Sequence, residues 1–184
     1  MLNLDDLRKQ TASLENQLQI DFKGKSSQTN ELKINRNVTF LLDTSGSMGW
    51  YNKIENAKKA LKENARKNDI IITFSNHACE IEWDEIKEIY GDGETNLLPA
   101  LKLAAKKEPK TIYIITDGEP TDSKQEIIDF VKKMTNITIH TIGIGDDCNH
   151  EFLKELSKTA KPGVSQKVDT AGVQLSRAIA LLPR

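Results

Sequence analysis

The chain is short of cysteine, of aromatic residues and of net charge, and each shortage removes a class of function. Cysteine occurs twice in 184 residues, at Cys79 and Cys148, with no Cys-x-x-Cys pair. A disulfide scaffold is thereby excluded. Lys and Arg number 26 against 27 Asp and Glu, which leaves a formal charge of −1. This excludes a strongly basic nucleic-acid footprint and a polybasic membrane binder as readings of the whole chain. No run approaches the ~18 consecutive apolar residues of a bilayer-spanning helix. The first residues, MLNLDDLRKQTASLENQ, carry acids early and lack the apolar stretch of a secretory signal. The expectation is a cytoplasmic, reduced protein with no membrane partner.

What remains is an ordinary soluble balance, with 29% charged, 38% hydrophobic and 5% aromatic residues. The length suits about one domain. It is enough to bury roughly 68–70% of the unfolded surface without staples.

From residue 38 onward, strand and helix patterns alternate. Val38–Asp43, Ile70–Ser75, Cys79–Trp83, Ile112–Thr116, Ile137–Ile142 and Gln166–Asp169 read as strands. Most are short and nearly continuously apolar, as strands buried on both faces of a parallel sheet are. Apolar stripes at helical spacing mark residues 51–67, 97–107, 123–134, 149–160 and 171–182. Ser75-Asn76-His77-Ala78 is too short for a crossover helix, so the second and third strands should form an antiparallel hairpin. The expected fold is α/β: a Rossmann-like, doubly wound, mostly parallel sheet of about six strands with one antiparallel edge strand. Residues 1–36 differ: Leu4, Leu7, Leu14 and Leu18 lie near one helical stripe, followed by alternating patterns around Lys23–Asn30. They read as an arm of helix and hairpin ahead of a domain at 37–184.

Three loops carry the candidate chemistry. The first strand ends in Asp43-Thr44-Ser45-Gly46-Ser47-Met48, with an Asp and two Ser at i, i+2 and i+4. Carboxylate and hydroxyl oxygens suit a hard cation such as Mg²⁺ or Mn²⁺. The fourth strand ends in Thr116-Asp117-Gly118. Strands one and four flank the reversal of strand order in a doubly wound sheet, where ligands bind outside the carboxyl ends of strands. The loop Gly91-Asp92-Gly93-Glu94-Thr95-Asn96 emerges at the same end and offers the hydroxyl of Thr95. Taken singly, each of these residues is an ordinary turn or cap residue. Their joint placement is the signal.

DTSGSM, then GETNL, then ITDGEPTD resembles the von Willebrand factor A (vWA) family and its metal-ion-dependent adhesion site. That pattern is D-x-S-x-S, a distant Thr and a distant Asp before Gly. Asp43, Ser45, Ser47, Thr95 and Asp117 fill it in order. The resemblance covers residues 37–184 and implies the same doubly wound sheet. It further implies that Ser45, Ser47 and Thr95 contact the cation directly, that Asp43 and Asp117 hold it through waters, and that a partner's carboxylate fills an open position. The GEPTD continuation and the small size look more like bacterial or phage intracellular members than adhesion receptors.

Other clusters are weaker. Asp146-Asp147-Cys148-Asn149-His150 reads as a helix start rather than a zinc site. His77 fits a hairpin turn and His140 a strand face, neither with an evident partner. Trp50 and Tyr51 either rim the metal loop or pack at a helix start.

The function expected is a non-enzymatic, metal-dependent protein-interaction module that takes Mg²⁺ or Mn²⁺ and recognises an acidic residue of a partner protein. Two alternatives stand beside it. A Mg²⁺-dependent hydrolase would want Asp-x-Asp on the first strand, where Ser45 stands instead, and no phosphate-cradling lysine loop exists. A ribonucleoprotein component is disfavoured by the charge balance.

Overall fold

The computed structural model describes residues 38–169 and 172–184. The arm expected over 1–36 lies outside the described residues. Six strands form one sheet: β1 (Val38–Asp43), β2 (Ile70–Phe74), β3 (Ala78–Ile81), β4 (Thr111–Thr116), β5 (Thr138–Ile144) and β6 (Ser165–Val168). Their order is β3-β2-β1-β4-β5-β6. All neighbours pair in parallel except β2 and β3, whose register sets Ile72 opposite Glu80. The doubly wound sheet with one antiparallel edge strand is thus the architecture found.

Every residue of β1 and of β4 is buried. Alternation along each strand divides the core in two. Phe40 and Leu42 of β1, with Tyr113 and Ile115 of β4, face one layer. Helix α1 (Lys53–Asn64) and helix α5 (Gly172–Leu181) cover it through Ile54, Ala57, Leu61, Leu175 and Ile179. Leu41, Ile112 and Ile114 face the other layer. There α2 (Leu97–Ala105), α3 (Lys124–Val131) and α4 (His150–Thr159) bring Leu101, Ile127, Val131, Phe152 and Leu156. Among the described residues, no helix is long and apolar enough to cross a membrane.

Among the boundaries that moved, two have a clear local reason. The strand expected over Cys79–Trp83 stops at Ile81, because Glu82 and Glu85 form a reciprocal capping box that starts a 3-10 helix over Trp83–Glu88. The helix expected from residue 51 starts at Lys53. Ahead of it, residues 46–52 form a 3-10 segment in which Tyr51 and Asn52 adopt left-handed backbone angles, φ 53° and 59°. His140 is not without a partner, as its sequence context suggested: its Nδ1 accepts a hydrogen bond of 3.0 Å from the Val164 amide. Burial holds its pKa below the usual imidazole value.

Ile114 is wholly buried at the centre of the sheet. Ile114→Ala should lower the free energy of unfolding by about 2–5 kcal/mol, measured by urea denaturation, through lost transfer energy and an unfilled cavity.

Candidate metal centre

Three loops meet at the carboxyl ends of β1 and β4, and backbone hydrogen bonds lace them together. The Asp92 amide donates to the Thr44 carbonyl at 2.8 Å, and the Gly46 amide to the Gly93 carbonyl at 3.0 Å. Gly91 must be glycine for this contact: a Cβ there would lie 2.5 Å from the Gly49 nitrogen and 2.9 Å from the Ser45 carbonyl oxygen. The Thr95 amide donates to the Thr121 hydroxyl at 3.2 Å, and the Thr121 amide donates back to the Thr95 carbonyl at 2.9 Å. The Leu98 amide donates to Asp122 at 2.8 Å. Thr121 and Asp122, which precede the helix expected over 123–134, therefore hold the Thr95 loop and the first turn of α2. Ser123 alone caps α3, accepting from the Glu126 amide.

The five residues singled out in the sequence come together. Asp43 accepts from the Ser45 amide at 2.8 Å and from the Thr116 hydroxyl at 2.5 Å. The Ser45 and Ser47 hydroxyls lie 3.2 Å apart. Ser47 donates to Asp117 at 2.8 Å. Thr95 Oγ1 and Ser47 Oγ both approach Gly118, at 3.4 and 3.9 Å from where a Cβ would sit. Asp43, Ser45, Thr95 and Asp117 are buried.

One member was not foreseen. Lys53, the first residue of α1, is 2% exposed. Its ammonium pairs with the second oxygen of Asp117 at 2.6 Å. The sequence carried a signal for it: a lysine in the first turn of a helix opposes the macrodipole, so something must hold it there. Thr116 was also missed, since strand residues alternate in direction and its hydroxyl reaches Asp43 only across the β1–β4 pairing.

The two carboxylates are therefore unequal. Asp117 has a cation beside it, whereas Asp43 accepts from neutral donors, the Ser45 amide and the Thr116 hydroxyl. Burial pushes the Asp43 pKa up from 3.8 to about 6, against the hydrogen bonds from Thr116 and Ser45, and the charge of Asp117 adds to the rise. Burial and the neighbouring carboxylate both disfavour the charged form of Asp43, and a cation close to it would favour that form. The donors are all oxygens, which fits a hard divalent cation. Among the described residues, no three His, Cys, Asp or Glu side chains cluster, so a cation here depends on hydroxyls. The acidic stretch at 146–150 is structural. Asp146 pairs with Lys167 at 2.8 Å, Cys148 is buried, and Asn149 caps α4 by accepting from the Phe152 amide.

The model of the von Willebrand factor type A domain matches residues 72–164, just over half of the chain. The chain belongs to the vWA domain family. These domains are protein-interaction modules. The matched stretch includes Thr95 and Asp117, while Asp43 to Ser47 precede it. Human von Willebrand factor A domain-containing protein 3B is 41% identical over 75 residues, 39% of this chain and 6% of that protein. Across the curated relatives matched, the chain spans less than a fifth of their length. Among solved structures, a von Willebrand factor type A protein of Catenulispora acidiphila superposes with TM-score 0.67 at 17% identity, covering 79% of this chain and 42% of that one. Proximal thread matrix protein 1 of the mussel byssus, with a zinc-occupied metal-ion-dependent adhesion site motif, superposes with TM-score 0.59 at 17% identity, covering 77% and 43%. At these identities the likeness is one of fold.

The raised Asp43 pKa gives a pH dependence with a definite sign. A group that binds its proton more tightly when folded stabilises the fold below its unfolded pKa, and loses that stabilisation as pH rises through its folded pKa. The window is about pH 4 to 6, and a shift of this size is worth on the order of 3 kcal/mol. Without metal, the stability of the wild type relative to Asp43→Asn should fall as pH rises from 4 to 7, measured by denaturant titration at each pH. Saturating Mg²⁺ should flatten the curve, because a nearby cation favours the charged carboxylate.

Gly91→Ala tests the lacing of the loops. Its Cβ would meet backbone atoms on the facing loop rather than flexible side-chain ends. The variant should lose about 1–3 kcal/mol of stability, read from its thermal midpoint.

Proposed function

We propose that this vWA domain binds one divalent cation, Mg²⁺ or Mn²⁺, through Asp43, Ser45, Ser47, Thr95 and Asp117, and uses it to recognise a carboxylate on a partner protein. The observation that carries this reading is the convergence of five oxygen-bearing side chains from three loops, among them the buried Asp43 carboxylate, which accepts from the neutral Ser45 amide and Thr116 hydroxyl. Ser45, Ser47 and Thr95 would hold the ion directly, with Asp43 and Asp117 behind them. Neutral hydroxyls leave a divalent ion with net positive character, and that is the chemistry it supplies: attraction of an anionic oxygen. The mussel protein with zinc in the corresponding motif supports a metal at this place in the fold.

The surroundings of the site suit protein recognition. Trp50 is 66% exposed, Tyr51 77% and Tyr90 74%. Trp50 and Tyr90 flank the tight backbone contact between Gly49 and Gly91, so the aromatic residues gather beside the metal loop. Their exposure favours the reading of Trp50 and Tyr51 as residues available for contact over the reading of them as packed. Tyrosine and tryptophan supply much of the energy of protein interfaces. From Glu80 to Glu94 seven acids face one base, Lys87. Beyond about 8 Å at physiological salt their repulsion of an acidic partner is largely screened, whereas a direct metal–carboxylate contact is not. The partner that fits has one acid among neutral or basic residues.

Binding is favoured over catalysis. The Ser45 and Ser47 hydroxyls contact each other and Asp117, and no imidazole hydrogen-bonds to either among the described residues. Asp117 is already engaged by the Lys53 ammonium. The arm at 1–36 is proposed as a packing or interaction element, and the cytoplasm as the setting.

Titration calorimetry with Mn²⁺ should show one site of modest affinity, and Asp43→Ala should abolish it. Asp43→Ala that binds as well as wild type would mean the ion sits elsewhere. In pull-downs from the host, EDTA and Thr95→Ala should each release the specific partner. A partner retained at full strength in EDTA would mean that recognition does not run through the metal.

A further inference from the structure

The most unusual charge in the molecule is Lys53. Lysine is almost never fully buried unless paired. Here it is 2% exposed and sits at the start of a helix, where the macrodipole repels it. Its ammonium is one carboxylate away from the hydroxyl donors. Nζ lies 2.6 Å from one oxygen of Asp117, and the other oxygen accepts from Ser47 at 2.8 Å. Two successive left-handed residues, Tyr51 and Asn52, turn the chain so that Lys53 enters the helix facing inward.

We infer that Lys53 is a built-in counter-cation of the metal centre that weakens metal binding in the free protein and makes it depend on an anionic partner. This rests on the reading of the site as a metal centre. With Lys53 paired to Asp117, the buried charge of the site is that of Asp43 alone. A divalent cation placed among Ser45, Ser47 and Thr95 then exceeds the local negative charge, an excess that Asp117 would cancel were the ammonium not paired with it. Solvent screens such a pair far less than it screens surface charges. A carboxylate ligand removes the excess. Metal and carboxylate therefore help each other bind, and by linkage the help is reciprocal.

Other charges near Lys53 do not take over this role. A cleft of about 340 Å³ beside it is lined by Tyr51, Asp146, Asp147, Asp169 and Gly145. Asp146 is exposed and paired with Lys167, and Asp169 accepts from Gln174. Asp117 is the carboxylate in direct contact with the ammonium.

A purely structural lysine predicts the opposite sign from a counter-cation. If Lys53 only held Asp117 in place, removing it would loosen the site and weaken the metal. As a counter-cation, its removal frees Asp117 for the ion and tightens binding.

The test is Mn²⁺ affinity, by calorimetry or by electron paramagnetic resonance of free Mn²⁺, for the full chain as wild type, Lys53→Met, Lys53→Gln and Lys53→Arg. Each is measured with and without acetate at constant ionic strength. Lys53→Met and Lys53→Gln should bind Mn²⁺ at least tenfold more tightly than wild type, and Lys53→Arg should stay within about threefold of it. Acetate should tighten Mn²⁺ binding more in wild type than in Lys53→Met. A wild type with no measurable Mn²⁺ binding beside a Lys53→Met that binds would also support the inference. Equal or weaker binding by both neutral variants, with wild type binding normally, overturns it and leaves the metal-centre reading intact. Absence of binding in all four chains overturns both. Should Lys53→Met and Lys53→Gln be unfolded without metal, recovery of cooperative unfolding on adding Mn²⁺ supports the inference, and failure to recover overturns it.

Discussion

Two carboxylates stand side by side at the ends of β1 and β4, both buried, and the arrangement around them answers the need for positive charge. The placement follows from strand order. β1 and β4 are neighbours because the chain reverses direction of travel across the sheet between them, and β1 ends in Asp43 while Asp117 directly follows β4. Neither carboxylate has bulk water to stabilise it. Asp117 is matched by Lys53. Asp43 is surrounded by neutral donors, and its proton affinity rises accordingly. The site is electrostatically incomplete on one side only.

This asymmetry explains the loops. Hydroxyls of Ser45, Ser47 and Thr95 are weak ligands individually, so their value to a cation lies in being fixed. Fixing them requires three segments of chain to be tied together. The amides of Asp92 and Gly46 tie the Thr95 loop to the metal loop, the Gly91–Gly49 approach closes the remaining gap, and Thr121 locks Thr95 from the far side. The strained backbone at Tyr51 and Asn52 belongs to the same construction. It ends the metal loop, leaves two aromatic side chains exposed, and delivers Lys53 into the interior.

The fold was legible because β1 and β4 are nearly continuous apolar runs and because the link between the second and third strands is too short for a helix. The Asp-x-Ser-x-Ser spacing and the Thr95 and Asp117 positions were legible for a related reason: strand ends converge at the point of reversal whatever the loops do. What escaped the sequence depended on contacts between distant segments. Lys53 is one of several lysines on α1, and its contact with the distant Asp117 distinguishes it. The anchoring by Thr121 and Asp122 was hidden because they stand just ahead of a helix, where local capping and long-range anchoring use the same residue types. The early end of β3 came from Glu82 and Glu85 bonding each other, a pair that reads from sequence as part of an acidic stretch.

The account stands on a cation among Ser45, Ser47 and Thr95. Crystals grown in Mn²⁺ and measured for anomalous scattering test it most directly. The account predicts a single strong anomalous peak within bonding distance of the three hydroxyl oxygens, with Asp43 and Asp117 around it. A peak confined to the exposed acids at Asp146 and Asp147, or none at the carboxyl ends of β1 and β4, would contradict it.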